Sequence, residues 1–207
     1  MTKRLFDIIL SLTGLVLVMP VLAVLTLLIK MEDQGPVFYR GVRVGRYGRQ
    51  FRIFKFRTMV KDAERIGGPS TADDDPRITR IGKIIRRYKL DELPQLINVV
   101  KGEMSFVGPR PEVQHYVDMY TEEEEAILSV RPGITDWASL WNPDEGRVLA
   151  GSPDPERTYM EKIRPTKIRL QMKYVRERSF WTDLTIIVKT FLTILSTRNT
   201  QKAHETD

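Results

Sequence analysis

The 207-residue sequence has no cysteine and only two histidines, His115 and His204. The first absence excludes a disulfide framework, a thiol nucleophile and zinc held by cysteine. The second leaves no His-rich metal site and argues against a His-based triad. Acid–base or metal chemistry falls to carboxylates, Lys, Arg, Tyr and hydroxyls. Charge is missing in a patterned way as well. No charged side chain occurs from Ile8 to Ile29, and no acidic one from 36 to 61 or from 77 to 90. Internal repeats and low-complexity tracts are absent.

What is present is a net charge of +6, from 33 basic and 27 acidic residues. Such a balance suits polyanions: nucleic acid, phosphorylated ligands or an anionic membrane face. The mean hydropathy of −0.28 is that of an ordinary soluble protein, yet it averages two unlike parts. The uncharged run IILSLTGLVLVMPVLAVLTLLI would be about 33 Å long as a helix, enough for a bilayer core of about 30 Å. It is too long for a signal peptide and ends in no small-residue cleavage site. Pro20 sits near its middle, where it removes a helical hydrogen bond. Two embeddings compete: a kinked single span, or a helix–break–helix that enters and leaves on one face. Lys3, Arg4 and Lys30 flank the run, and residues 36–61 add eight basic side chains. Basic flanks at both ends favour the one-faced arrangement, with both ends cytoplasmic.

The stretch from Gly35 to Met59 reads as a β-hairpin, with strands near Val37–Tyr39 and Phe51–Phe56 and glycine turns at 41, 45 and 48. On such a strand Lys55 and Arg57 would share one face, opposite Phe54 and Phe56. The Asp73–Asp75 run is read as a turn rather than a metal site. Ile81, Ile84, Ile85 and Tyr88 then mark a strongly basic helix. Asp91 and Glu92 follow at once and are expected at the next helix N-terminus, by capping preference and the tolerance of Pro94 in a first turn. Alone this pair reads as capping. Beside so many guanidinium groups it also reads as an ionised nucleophile next to a phosphate site, with Mg²⁺ held by the neighbouring Glu. Arg110, locked between Pro109 and Pro111, reads as a preorganised phosphate clamp. Residues 154–178 read as a charged helix broken near Pro165. Phe180–Leu195 forms an amphipathic stripe, packed on the core or lying in the membrane interface with Trp181 at headgroup level. Residues 198–207 read as a frayed polar tail.

FKFRTM, LDELPQLINVVKGEMSFVGPRPE and RPGIT, in this order after an apolar segment, resemble the bacterial sugar transferases, the monotopic phosphoglycosyl transferases that start surface-glycan assembly. The resemblance spans roughly residues 3–195 and is to the small version of the family, without a large N-terminal extension. It implies transfer of a phospho-sugar from a UDP-sugar to undecaprenyl phosphate with release of UMP. Asp91 would form a covalent phosphosugar intermediate in a ping-pong reaction, and Glu92 would hold Mg²⁺. Lys55, Arg57, Arg86 and Arg110 would bind substrate phosphates, and Pro20 would break a re-entrant membrane helix. It implies an α+β, mostly helical fold with three parts: membrane segment 1–32, cytosolic catalytic domain 33–197 with interfacial helices, and tail 198–207. The location implied is the bacterial inner membrane, catalytic domain facing the cytoplasm, with no nucleic-acid partner and with a homo-oligomer compatible. Two departures stand out: Asp136 replaces a Gly common after RPGIT, with an altered segment through Arg147, and LQMKYV carries Gln171 near a position often Asp. Sugar identity is therefore not carried over. A membrane-anchored nucleic-acid module or a lipid-binding scaffold would also use the basic surface, but neither explains an Asp–Glu pair between two basic segments.

Overall fold

A computed structural model of the chain describes residues 2–66 and 70–204. Helix α1, Thr2–Asp33, takes up the whole apolar run. One side of its middle is open: Val16, Leu17 and Met19 are each more than half exposed, while Ser11 on the other side is buried. Both ends are docked. Lys3 Nζ reaches Asp183 Oδ2 at 2.5 Å and the Val107 carbonyl at 3.1 Å. Arg4 donates to the carbonyls of Val99 and Val100, at 2.6 and 2.9 Å. Buried Asp7 accepts from Ser105 Oγ at 2.8 Å and from the Phe106 amide at 3.2 Å. At the far end Leu25 and Ile29 pack on Phe56 and Ile85. The expected separation into two helices at Pro20 is corrected in one respect: the backbone stays helical across it. Proline removes only its own N–H, so a single missing bond, to the Val16 carbonyl, does not end the helix.

The hairpin forms in two short rungs. β1, Phe38–Tyr39, pairs antiparallel with β4, Lys55–Phe56, and β2, Val42–Val44, with β3, Gln50–Arg52. A turn at Arg46–Gly48 closes it, with Tyr47 and Gly48 at positive φ. Phe38 stacks on Phe56 at 5.5 Å and meets Phe54 edge-on. α2, Arg80–Arg87, starts at Thr79, whose hydroxyl accepts from the Gly82 amide. A Cβ at Gly82 would lie 2.1 Å from the Thr58 carbonyl oxygen, so only glycine lets α2 approach the hairpin this closely. Lys89, at φ 54°, ends the basic segment.

A single 3₁₀ turn, Leu90–Glu92, leads into α3, Gln95–Lys101, which Gly102 terminates in the left-handed region. β5, Ser105–Val107, runs parallel to β6, Gly133–Thr135, a pairing the sequence does not announce because each strand has three residues. Between them lies α4, Gln114–Val117. After β6 come α5, Trp137–Trp141, α6, Glu145–Leu149, and α7, Pro155–Thr158. A π-helical turn, Tyr159–Ile163, joins α7 to α8, Arg164–Glu177, so in place of the expected break the helical backbone runs on and Pro165 sits in the first turn of α8. α9, Phe180–His204, carries helical backbone into the region read as a frayed tail; residues 205–207 of that tail lie outside the described residues. Among the described residues the fold is thus mostly helical with three two-stranded sheets. Phe51, Ile53, Val99 and Met104 form its centre, where hairpin, α3 and β5 meet.

Candidate active site

Asp91 and Glu92 lie one turn ahead of α3, not at its cap, which Pro94 occupies. Ionic partners therefore define their environment more than the helix terminus does. Asp91 is 5% exposed. Its Oδ2 faces Lys55 Nζ at 2.9 Å, while its Oδ1 is buried without a hydrogen-bond partner among the described residues. Lys55 also reaches Glu92 Oε1 at 3.2 Å. Arg110 forks onto both Glu92 oxygens, with Nη1 3.2 Å from Oε2 and Nη2 on Oε1. Burial alone would push the Glu92 carboxyl up. The charges of Arg110 and Lys55 outweigh it and hold the group well below the usual carboxylate range.

Of the basic residues expected here, the structure brings Lys55 and Arg110 to the pair and sets Arg57 and Arg86 elsewhere. The Arg57 amide still donates to the Val37 carbonyl at 2.9 Å and continues the β1–β4 ladder. Its guanidinium instead pairs with Asp33 at the end of α1 and donates to the Pro36 carbonyl at 2.6 Å. It fastens α1 to the hairpin. Arg86 lies where its charge acts on Asp73 and Asp75. The Asp73–Asp75 run itself is a turn: Asp75 pairs with Arg77 at 2.6 Å, and Asp74 accepts from the Gly151 amide.

Behind Arg110 stands a buried polar layer. The Arg110 amide donates to Asp136 Oδ2 at 3.3 Å, and Gln171 Nε2 donates to the Arg110 carbonyl at 3.4 Å. Asp136 and Gln171 are fully buried. Asp136 also caps α5, taking the Ser139 amide and hydroxyl at 2.7 Å each. Burial pushes its carboxyl up, and the Ser139 bonds offset part of that rise. Beyond lies Lys167, held by Glu112 at 2.8 Å and Glu145 at 3.1 Å. Burial raises the Glu145 carboxyl, and Lys167 and Arg110 bring it below its ordinary value. The two positions that depart from the family pattern thus grip the main chain of Arg110. Asp136 could have been recognised from its Asp-x-x-Ser spacing as a helix cap. Lys167 and Glu145 gave no local signal, because their partners are distant in sequence.

Asp136→Asn tests this grip. The amide oxygen can still cap α5, but its NH₂ meets the Arg110 amide donor to donor. The variant is expected to keep its melting temperature within a few degrees and lose roughly tenfold in kcat/KM, about 1.4 kcal/mol. Normal activity with a lowered melting point would make Asp136 a helix cap only.

The donor set fits Mg²⁺. Asp91 Oδ1 is an unpartnered buried oxygen, and Glu92 Oε2, with one Arg110 contact, keeps a lone-pair direction. Carboxylates outnumber basic groups along the path from Asp91 to Glu112: Asp91, Glu92, Asp136, Glu145 and Glu112 against Lys55, Arg110 and Lys167. Among the described residues no cluster of three metal-ligating side chains occurs.

Known proteins add a second line. The bacterial sugar transferase family matches residues 1–197. A UDP-N-acetylgalactosamine-undecaprenyl-phosphate N-acetylgalactosaminephosphotransferase of Aeromonas hydrophila is 39% identical over 197 residues, covering 94% of this chain and 44% of that protein. A UDP-glucose:undecaprenyl-phosphate glucose-1-phosphate transferase of Escherichia coli (strain K12) is 37% identical, covering 93% of this chain and 39% of its own length. The exopolysaccharide production protein ExoY of Sinorhizobium fredii is 32% identical, covering 95% and 87%. The chain spans less than half of the first two relatives and most of the third.

Proposed function

This chain belongs to the bacterial sugar transferase family, and from that premise we propose that it moves a phospho-sugar from a UDP-sugar to undecaprenyl phosphate, releasing UMP. The observation that carries the reading is Asp91: a buried carboxylate with one oxygen fixed by Lys55 and the other free of protein partners. Asp91 Oδ1 attacks the β-phosphorus of the donor. The bond from that phosphorus to the bridging oxygen breaks, and the oxygen leaves with UMP. A phosphate oxygen of the acceptor then attacks the same phosphorus, the bond to Asp91 breaks, and the carboxylate is restored. No proton is needed in either half, consistent with a site without histidine. Lys55 orients Asp91, and Arg110 orients Glu92 and supplies positive charge for the departing phosphate. Mg²⁺, held by Glu92 beside Asp91, would supply charge neutralisation for the phosphate oxygens.

Membrane placement follows from α1. Its exposed apolar middle suits lipid, and both its ends dock on one body. A straight span would carry Lys3, Arg4 and Asp7 away from their partners. Together with the basic, acid-free stretch 36–61, this supports a re-entrant helix bent at Pro20, with the catalytic domain on the cytoplasmic face of the inner membrane. Because the chain lacks cysteine, Thr2→Cys and Met31→Cys report topology directly. Both are expected to react with a maleimide only from the cytoplasmic side. Periplasmic labelling of residue 2 would mean a true span.

The reaction is tested by presenting a panel of UDP-sugars with Mg²⁺ and reading UMP. The expected result is one equivalent of UMP per enzyme without acceptor and continuous release with undecaprenyl phosphate. UMP release that strictly requires acceptor would exclude the covalent route. No UMP from any UDP-sugar would overturn the function.

A further inference from the structure

α5, α8 and α9 line a cavity of about 480 Å³. It shares no lining residue with the carboxylate site. Leu140, Trp141 and Leu192 give it apolar walls, and Trp137 its aromatic floor. The Nε1–H of Trp137 is buried without a hydrogen-bond partner among the described residues. Two ammonium groups gather on that one indole: Lys173 Nζ at 5.6 Å and Lys189 Nζ at 5.4 Å from the ring centroid. The carboxylate nearest Lys173 is Glu177, at a loose and exposed 3.9 Å. Like charges brought together in this way favour an anion between them.

The cavity adjoins exposed apolar side chains. Leu192, at its mouth, is 57% exposed and belongs to an apolar stripe of α9 with Trp181, Val188 and Phe191. That stripe lies opposite Asp183 and Ile186, which the helix buries against the core. An occupant must therefore pair with two cations at one end and cover hydrocarbon at the other. A soluble nucleotide meets only the first demand and an apolar protein surface only the second. We propose that this cavity binds an anionic phospholipid of the bilayer, its phosphodiester between Lys173 and Lys189 and an acyl chain along Leu192 and Phe191. Basic pockets between helices at a membrane face hold such headgroups, and about 480 Å³ suits one headgroup with the start of a chain. The site rests on the membrane placement proposed above.

The test uses the full chain carrying Trp181→Phe, which leaves Trp137 and Trp141 as reporters beside the cavity. Vesicles contain phosphatidylcholine, with a minor share of chain-brominated phosphatidylglycerol or chain-brominated phosphatidylcholine. Quenching by the brominated phosphatidylglycerol is expected at roughly tenfold lower mole fraction, since each basic side chain near an anionic surface adds a severalfold preference. Lys173→Gln with Lys189→Gln should remove that preference, and Lys173→Arg with Lys189→Arg should restore it. Equal quenching by the two lipids, or a preference that survives the double Gln variant, overturns the site. Displacement of the brominated lipid by one equivalent of undecaprenyl phosphate overturns it too, by assigning the cavity to the acceptor. Absence of quenching in a dimeric chain overturns it in favour of a second copy on the stripe. A chain that floats with neither vesicle overturns the membrane placement as well; one that floats with both and shows no preference overturns only the lipid site.

Discussion

Asp91→Asn is expected to abolish the acceptor-independent burst of UMP and to lower turnover by roughly 10³-fold or more, at least about 4 kcal/mol of barrier. The substitution is nearly isosteric. Lys55 keeps Glu92 as a partner at 3.2 Å, so the 3₁₀ turn and α3 should survive and the melting temperature should barely change. Under the proposed mechanism the variant loses the nucleophile: a carboxamide oxygen carries no full charge, and its ester-like adduct has no route back to the starting enzyme. A donor labelled in the sugar should leave label on the denatured wild-type protein and none on the variant. If Asp91→Asn retains near-normal turnover, Asp91 is not the nucleophile, and its free Oδ1 must serve another purpose.

Arg110→Lys should cost roughly 10²-fold in kcat/KM although it conserves charge. The guanidinium spans both oxygens of Glu92, whereas an ammonium is a point charge that holds only one in line. The main-chain grip by Asp136 and Gln171 does not depend on the Arg110 side chain, so the segment between the two prolines stays in place. The loss should fall mainly on kcat, with thermal stability close to wild type. An equal loss in Arg110→Lys and Arg110→Ala would mean that the fork geometry is what the site uses. Full activity in the Lys variant would reduce Arg110 to a counter-charge.

How much of this could be read beforehand depended on how local the cause was. The apolar run, the glycine-punctuated hairpin and the Asp–Glu pair after a basic segment are written in neighbouring residues, although the pair lies one turn ahead of α3 rather than at its cap. Arg57 is drawn to Asp33, 24 positions away at the end of α1, a partner that no local pattern announces. Pro20 was read as a stop and is a missing hydrogen bond within one helix. The layer of Asp136, Glu145, Lys167 and Gln171 was illegible in a different sense. Its members come from the N-cap of α5, from α6 and from α8, so only tertiary structure assembles it. Two residues that deviate from the family pattern hold the main chain of Arg110, one of the three arginines that pattern emphasises.

The tie between Lys3 and Asp183 has a consequence for how the protein is made. The two residues are 180 positions apart, so Lys3 is made long before its partner. The partners of Arg4 and Asp7, at Val99–Val100 and Ser105–Phe106, also emerge long after α1 itself. In the membrane placement proposed above, the apolar helix would meet lipid before it meets its own domain. The polar groups at its start would wait at the surface until their partners arrive. Flanking charge would then set its orientation, with docking as the later latch that holds it. Weakening that latch, by Asp183→Ala for instance, should leave newly made protein inserted in the right sense but slow to mature.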